Sequence, residues 1–217
     1  NKHLLPVYDR PMVLYPLETL KQAGIKEVIV VCGKEHAGHF MNFLGSGRDY
    51  GVKLSYALQH GNGGIAEALS LAEDFAGNSN LAVILGDNIF EDNFSKEING
   101  FKNGSAIFLK KVNDPQRFGV AVFDKSGKNI KRIEEKPKRP KSDFAQTGLF
   151  LFDSRIFDII RTLKPSARGE LEITDAINKY LENKELKHHL VKGFWSDAGT
   201  KESLLKSAIW AAEINDK

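Results

Sequence analysis

Two aspartates directly follow strand-like sequence, the position at which ligand-binding side chains gather in an open parallel sheet. Asp87 follows the apolar run at residues 81–85, and Asp197 follows the aromatic pair Phe194 and Trp195. Mg²⁺ takes one or two protein carboxylates and leaves its other positions to phosphate and water, so two strand-end aspartates suit it. Each aspartate equally suits a cap on the turn or helix that follows. The residues alone leave both interpretations open.

A glycine-rich segment, residues 61–64, leads into a predicted helix and is preceded by Gln59 at the end of a predicted strand. Exposed amides at a helix start suit an anion or a closely packed base. The Gln59 amide both donates and accepts, so it can pair with the edge of a pyrimidine. The spacing matches neither the Walker pattern nor the dinucleotide fingerprint, and an ordinary turn is the alternative.

Three cations stand in unusual local sequence. Lys2 lies in the opening segment, Lys136 stands between two glutamates and Pro137, and Arg168 lies in a predicted turn. Lysine, arginine and Mg²⁺ neutralise the charge that spreads over phosphate oxygens in a phosphate-transfer reaction. Simple solvation is the alternative for any single surface lysine or arginine.

The composition excludes several classes of protein. The 217 residues are 41% hydrophobic and 27% charged, which is typical of one globular domain, and the net charge of +3 is too small to indicate a nucleic-acid partner. Every apolar run is shorter than the ~20 residues of a membrane-spanning helix. The single cysteine, Cys32, cannot form an internal disulfide, and we expect it in the core of a cytoplasmic protein.

The chemistry-bearing residues need a scaffold, and the sequence predicts an α/β fold. Apolar runs of four to six residues alternate with helical periodicity, the pattern of βαβ units around a largely parallel sheet. After residue 104, strand-like runs separated by turns favour antiparallel pairing. Helices are predicted at 12–22, 36–44, 65–75, 154–163, 171–183 and 201–214, and strands at 27–32, 53–56, 81–85, 106–112, 120–123, 129–133 and 144–152.

Motifs along nearly the whole chain resemble those of glucose-1-phosphate thymidylyltransferases, a branch of the sugar nucleotidyltransferases. The short Leu-Gly-Asp and Glu-Lys-Pro motifs recur across that larger family, whereas the opening segment and the long run from Arg168 are typical of the thymidylyl branch. The matching segments are Lys2-His3-Leu4-Leu5-Pro6-Val7-Tyr8-Asp9, Pro11-Met12, Tyr15-Pro16-Leu17, Leu85-Gly86-Asp87-Asn88, Glu135-Lys136-Pro137, Thr147-Gly148-Leu149, Arg168-Gly169-Glu170-Leu171-Glu172-Ile173-Thr174-Asp175 and Asp197-Ala198-Gly199-Thr200.

The resemblance implies a Rossmann-like nucleotidyltransferase fold, with a mostly parallel central sheet flanked by helices and an antiparallel sugar-binding portion. It implies one domain over 1–217, divided into a nucleotide-binding half (1–104), a sugar-phosphate-binding half (105–200) and a C-terminal helix (201–217). The implied reaction joins dTTP and α-D-glucose 1-phosphate into dTDP-glucose and pyrophosphate, the first step of dTDP-rhamnose and deoxysugar synthesis. Mg²⁺ is the implied cofactor, and a homo-oligomer, tetramer or dimer, is expected.

The resemblance also assigns roles on the nucleotide side of the site. Lys2 matches the lysine that binds the phosphates beside the attacked phosphorus. Asp87 and Asp197 match the carboxylates that hold Mg²⁺. Gln59 and Gly64 match the positions that contact thymine.

On the sugar side, Gly119, Glu135 and Gln146 match the glucose pocket. Lys136 matches a lysine of the same pocket that reaches the sugar phosphate, and Arg168 matches the arginine that binds this phosphate. Lys2, Asp87, Lys136 and Arg168 are therefore the catalytic candidates.

Two segments depart from the family pattern. Relatives begin with a strand and a loop of the form Gly-Gly-x-Gly-Thr-Arg-Leu that wraps the triphosphate, and we expect these to precede Asn1 in the native gene. Residues 59–64 stand where relatives usually carry a proline-containing loop, so the sequence does not determine which nucleotide base is bound. The alternatives are a transferase that uses UTP or another sugar phosphate, and a non-catalytic sugar-nucleotide-binding protein. The end of the chain resembles the short form of the family.

Overall fold

A computed structural model describes residues 1–215 of the chain. Residues 216 and 217, which we assigned to the C-terminal helix, lie outside the described residues. The helices are α1 (Leu14–Gln22), α2 (Ala37–Leu44), α3 (Ile65–Ser70), α4 (Glu73–Ala76), α5 (Ser95–Asn99), α6 (Ile156–Thr162), α7 (Ile173–Glu182) and α8 (Lys201–Asn215). The strands are β1 (Pro6–Val7), β2 (Arg10–Pro11), β3 (Glu27–Gly33), β4 (Lys53–Gln59), β5 (Leu81–Ile84), β6 (Asn88–Phe90), β7 (Ser105–Lys111), β8 (Gly119–Phe123), β9 (Ile130–Glu135), β10 (Phe144–Phe152), β11 (Leu186–Leu190) and β12 (Trp195–Asp197).

Strand β10 is the centre of the larger sheet. It pairs antiparallel with β5 and with β7, and β11 pairs parallel with β7. Strands β5, β7, β8 and β11 therefore run in one direction, and β9 and β10 run against them. Within residues 1–215 this sheet is mixed rather than mostly parallel as predicted, because β7–β11 is the one parallel pairing among its five. The chain reaches β10 through the antiparallel hairpin β8–β9 of the second half, which explains the reversed direction of β10. The antiparallel pairing predicted after residue 104 is confirmed for β7, β8, β9 and β10.

The register of β10 shifts between Gln146 and Phe150, and this shift shapes the site. Before the shift Ala145 pairs with Val120 of β8, and after it Leu149 pairs with Ile84 of β5. One strand therefore joins the hairpin to the sheet. The irregular residues between the two halves lie where β5 ends.

The core of the larger sheet lies under α6 and α7. The sequence of α7 places Ile173, Ala176, Ile177 and Tyr180 on one helical face, and all four are at most 3% exposed. Full burial of a large apolar side chain contributes about 1.5–3 kcal/mol. These residues pack in one cluster with aliphatic and aromatic side chains of β7 and β10.

A second sheet consists of β3 and β4, which are parallel over their whole length. Helices α1 and α2 contribute to its core, and Cys32 is buried there as predicted. Within residues 1–215, β3 hydrogen-bonds only to β4, and β5 only to β10. The free edges of β3 and β5 line an apolar groove of about 640 Å³, to which Val28, Val30, Leu81 and Val83 contribute.

The predicted helices and strands are confirmed apart from local differences. The helix predicted at 65–75 is two short helices, because the end of α3 tightens: Leu71 N bonds Ala68 O at 3.3 Å and Ala72 N bonds Leu69 O at 3.0 Å. The turn at Ala72 buries this residue and redirects the chain into α4. Five elements were not predicted: β1, β2, β6, α5 and β11. None of the helices within residues 1–215 is long and apolar enough to cross a membrane.

A buried carboxylate fastens the end of β10 to the neighbouring elements. Asp153 accepts hydrogen bonds from the Gly104 amide at 2.7 Å, from Tyr180 Oη at 2.9 Å and from Arg155 Nη2 at 2.6 Å. Burial raises the pKa of Asp153, but these donors and the guanidinium charge outweigh it, and the pKa lies below its ordinary value. Asp153 is therefore stabilised in its charged form by folding.

We expect Asp153→Asn to destabilise the fold at neutral pH by about 1–3 kcal/mol, because an amide cannot replace the carboxylate toward three donors. Because the folded pKa lies below the unfolded value of about 3.9, the contribution is full above that pH and is lost as pH falls through the folded pKa. Urea unfolding at about pH 7 measures the full contribution, and unfolding at about pH 3, below the unfolded pKa, measures a contribution that has begun to fall. The exposed Asp49→Asn is the control, and an equal loss at both pH values would contradict the assignment.

Candidate active site

A cavity of about 190 Å³ lies where β5 ends, between the β8–β9 hairpin and the turn that carries Arg168. Its walls come from both halves of the sequence. The structure brings to it seven of the predicted site residues: Asp87, Gly119, Glu135, Lys136, Gln146, Arg168 and Asp197. Asp87 and Asp197 were predicted to face one site, and both line this cavity.

Asp87 forms an ion pair with Lys2 at the edge of the cavity. Lys2 Nζ lies 2.5 Å from Asp87 Oδ2, and the aspartate side chain is 15% exposed. Burial raises the pKa of Asp87, but the hydrogen bond from Lys2 and the charge of its ammonium group outweigh burial and hold the pKa below its ordinary value. Asp87 is thus a carboxylate at neutral pH, ready to bind a cation.

Asp197 reaches the same place from a different strand. Strands β12 and β6 pair antiparallel, with Asp197 opposite Asn88, and Ala198 N donates to Asp87 O at 2.8 Å. Asp197 Oδ2 accepts from Arg117 Nη2 at 3.3 Å. This pairing fixes the two aspartates side by side.

Gly199 leaves open the space between the two carboxylates. A Cβ on Gly199 would lie 2.7 Å from Asp197 Oδ1, and it would also lie 3.6 Å from Asp87 Oδ2 and 3.4 Å from Lys2 Nζ. Two carboxylates around such a space are the hard oxygen donors that Mg²⁺ prefers. Within residues 1–215 no group of three or more His, Cys, Asp or Glu side chains could hold a metal ion. The donor set therefore fits an ion that completes its coordination with substrate oxygens and water.

Asn88 is a structural residue of the site whose role the sequence did not indicate. Its Oδ1 accepts from Gly148 N and from Trp195 Nε1, both at 2.8 Å, and its Nδ2 donates to Asp87 Oδ1 at 3.0 Å. Asn88 is 2% exposed. A Cβ on Gly148 would lie 2.6 Å from the Asn88 side chain, so a glycine is required there. The signal in the sequence was a polar residue inside a buried segment.

The inner wall of the cavity carries polar atoms without partners. Gln146 Oε1 and Thr147 Oγ1 are buried and find no hydrogen-bond partner among residues 1–215. A buried unpaired polar atom costs about 1–3 kcal/mol, so a ligand that supplies hydroxyl groups would recover this free energy. A Cβ on Gly119 would lie 3.4 Å from both Gln146 Nε2 and Glu135 Oε2. Gly119 therefore keeps the space between these two side chains open.

Glu135 and Lys136 form the end of the hairpin. Glu135 accepts a hydrogen bond from Thr174 of α7, which fixes the carboxylate. Lys136 N donates to Phe118 O at 3.0 Å, and Lys136 has a φ of 41°, in the left-handed region that residues with a Cβ rarely adopt. Such local strain is common at ligand sites. The Lys136 side chain stays half exposed beside the cavity.

Arg168 is held by three glutamates at the mouth of the cavity. Its Nη2 lies 2.8 Å from Glu172, 3.1 Å from Glu170 and 3.6 Å from Glu135. The hydrogen bonds to Glu172 are the main cause of the raised pKa of Arg168. Arg168 is thus a fixed cation that exposes part of its guanidinium to the cavity.

Gln59 and Gly64 lie next to this cavity, where the apolar groove opens. Gln59 and Asp87 both line the groove, and Ile65 and Asp87 line both spaces. Gly64 has a φ of 94°, and a Cβ there would lie 2.6 Å from Leu171 O, so glycine is required. Lys2 lines the groove as well. Every predicted site residue is thus located at the cavity or directly beside it.

Comparison with known proteins identifies the family of this chain. The sequence model of the family described as "Nucleotidyl transferase" matches residues 1–212. The chain belongs to this family. The membership predicted from the motifs is confirmed, and so are the α/β class and the Rossmann-like type of the fold.

Individual members of the nucleotidyl transferase family are similar over nearly the whole chain. The glucose-1-phosphate thymidylyltransferase of Neisseria gonorrhoeae is 44% identical over 222 residues, which cover 100% of this chain and 77% of that protein. A crystal structure of a Bacillus anthracis protein assigned as a glucose-1-phosphate thymidylyltransferase, in complex with sucrose, has a TM-score of 0.91 and 48% identity over 97% of this chain and 86% of that chain. A UDP-glucose pyrophosphorylase complexed with UDP-glucose has a TM-score of 0.83 at 24% identity, covers 98% of this chain and 90% of that chain, and shares the fold.

Removal of one charge tests the metal site. Asp87→Asn keeps the size of the side chain and removes a cation ligand, so we expect the affinity for Mn²⁺, a probe for Mg²⁺, to fall about tenfold or more. Electron paramagnetic resonance of free Mn²⁺ measures this without turnover.

Two further variants sharpen this test. Lys2→Met removes the ammonium that competes for Asp87 and should strengthen Mn²⁺ binding, whereas the exposed Asp49→Asn should change nothing. Unchanged Mn²⁺ affinity in both Asp87→Asn and Asp197→Asn would show that these two aspartates do not bind the metal.

Proposed function

We propose that this chain transfers a thymidylyl group from dTTP to α-D-glucose 1-phosphate, giving dTDP-glucose and pyrophosphate. The single observation that carries the proposal is a cavity with unpaired hydroxyl-binding groups at one end and paired carboxylates beside Lys2 at the other. The similar proteins named as glucose-1-phosphate thymidylyltransferases support the same reaction. The proposed reaction would supply dTDP-glucose for the synthesis of dTDP-rhamnose and other deoxysugars.

The chemistry is a displacement at phosphorus. An oxygen of the sugar phosphate attacks the α-phosphorus of dTTP in line, one P–O bond forms, and the bond to the β-phosphate breaks as pyrophosphate leaves. No covalent intermediate with the protein is needed, so the side chains position the reactants and neutralise charge. Mg²⁺, held by Asp87 and Asp197, would supply further positive charge to the phosphate oxygens.

Cationic side chains surround the place where the phosphates would meet. Lys2 lies beside Asp87 and can move its hydrogen bond from the carboxylate to a phosphate oxygen. Arg168 and Lys136 lie on the sugar side, where they can bind the phosphate of glucose 1-phosphate. The glutamates around Arg168 hold the guanidinium in place, which reduces the entropy lost on binding.

The inner wall suits one sugar ring. A cavity of about 190 Å³ is smaller than the sites of drug-sized ligands, so it fits a monosaccharide. Gln146, Thr147 and Glu135 would bind the hydroxyl groups, and Gly119 leaves room for the ring. In this proposal residues 1–104 bind the nucleotide and residues 105–200 bind the sugar phosphate.

We also propose that the protein assembles into a homo-oligomer. The C-terminal helix leaves Leu205 and Ile209 more than half exposed, at 62% and 52%. A homo-oligomer would cover such apolar side chains, and it stays a prediction whose measurement is the mass of the protein in solution.

The test is pyrophosphate release by the purified product of the native gene, with Mg²⁺ and glucose 1-phosphate. We expect turnover with dTTP, and slower turnover with UTP, because UTP lacks the 5-methyl group, which contributes about 1–3 kcal/mol to discrimination, and carries a 2′-hydroxyl that dTTP lacks. Turnover with UTP and none with dTTP would show that the enzyme uses a different nucleotide. Binding of dTDP-glucose without any turnover would make it a binding protein.

A charge removal separates the two substrates. Lys136→Ala should raise the KM for glucose 1-phosphate about tenfold or more and change the KM for dTTP much less, because a charge-assisted hydrogen bond to the sugar phosphate is lost. Steady-state kinetics with each substrate varied in turn measure this. The exposed Lys128→Ala is the matched control. Equal effects on both substrates would place Lys136 outside the sugar pocket.

A further inference from the structure

A glutamate on α3 fixes the orientation of the Gln59 amide. Gln59 Nε2 donates to Glu67 Oε2 at 2.7 Å and to Gly64 O at 3.1 Å. Both bonds are partly buried, at the junction of the cavity and the apolar groove. The nitrogen of this amide is therefore occupied by the protein itself.

The direction of the amide follows from the chemistry of its partners. A carboxylate and a backbone carbonyl only accept hydrogen bonds, so the nitrogen of Gln59 must face both of them. The reversed amide would place Oε1 against two other oxygens. Gln59 Oε1 consequently points away from Glu67 and Gly64, and it is presented to a ligand as an acceptor.

The sequence around Gln59 permits this contact. A Cβ on Gly63 would overlap the Glu67 carboxylate, so the absence of a side chain at Gly63 lets Glu67 reach Gln59. Leu171 N also bonds Gly63 O at 2.7 Å, which holds the glycine segment against the turn that carries Arg168. The orientation of Gln59 is thus built into the glycine segment and α3 together.

We propose that Glu67 is a positioning residue that determines base specificity, because it makes Gln59 an obligate acceptor. This rests on the proposed nucleotide site. Where Gln59 Oε1 faces N3 of the base, it requires a donor at that atom: N3 of thymine and of uracil carries a hydrogen, whereas N3 of cytosine is itself an acceptor and the amino donor of cytosine lies at the neighbouring C4. Glu67 therefore selects thymine and uracil against cytosine and leaves the choice between thymine and uracil to other contacts.

The experiment compares dTTP, UTP and dCTP in the gene product and in three variants. Glu67→Leu removes the charged acceptor at similar size and leaves only the longer bond to Gly64 O, at 3.1 Å, to hold the amide, so Gln59 can turn toward cytosine. We expect the ratio of kcat/KM for dTTP to that for dCTP to fall about tenfold or more, mainly through KM. The ratio for dTTP to UTP should stay constant in every variant.

Two variants serve as controls. Glu67→Gln still offers an amide oxygen to Gln59 Nε2, so it should keep the dTTP to dCTP ratio within about threefold. Glu182→Leu makes the same change at an exposed glutamate of α7 that pairs with Lys179, and it should leave the ratio unchanged. Thermal unfolding of each variant checks that the fold is intact.

The outcomes separate this inference from the proposed function. An unchanged dTTP to dCTP ratio in Glu67→Leu, or an equal loss with all three nucleotides, would overturn the role of Glu67. If the parent protein shows no turnover, the proposed function fails, and calorimetric binding of dTTP and dCTP still measures the same ratio. Equal affinity of the parent protein for both nucleotides would also overturn the inference.

Discussion

The site depends on one buried amide. Asn88 joins three strands, because it bonds the backbone of β10 at Gly148, the indole of Trp195 on β12 and the carboxylate of Asp87 beside its own strand β6. Each of its hydrogen bonds fixes a different wall of the cavity. A buried amide whose oxygen and nitrogen are both hydrogen-bonded favours one arrangement of its neighbours, since the alternatives leave a polar atom unpaired. The spacing between the proposed metal ligands and the proposed sugar pocket therefore follows from Asn88.

Much of the fold could be predicted from local sequence. The apolar runs that became β3, β5 and β10 are buried or half-buried strands, and local hydrophobicity records burial directly. Strand β11 was missed because Leu186–Leu190 contains two histidines and a lysine and lies at an edge, where only one side needs to pair. The direction of β10 is set by the hairpin that precedes it, a tertiary property that periodicity does not contain.

The candidate site was predictable to the extent that it follows from strand ends. Asp87 and Asp197 could be placed together because each ends a strand, and β6 and β12 do pair there. Gly119, Glu135 and Gln146 came from family resemblance alone, since their closeness depends on how the hairpin folds over the sheet. The contact between Gln59 and Glu67 spans only eight residues, yet it depends on a glycine between them that has no side chain to block it.

The groove between β3 and β5 has a consequence for handling the protein. Within residues 1–215 each of these strands leaves one row of backbone amides and carbonyls without a strand partner, and apolar side chains line the space between. Unpaired strand edges beside apolar surface are templates for pairing with another chain. A polypeptide limited to these residues would therefore expose an aggregation-prone groove. Its solubility and its demand for chaperones would depend on whether a further strand covers this groove.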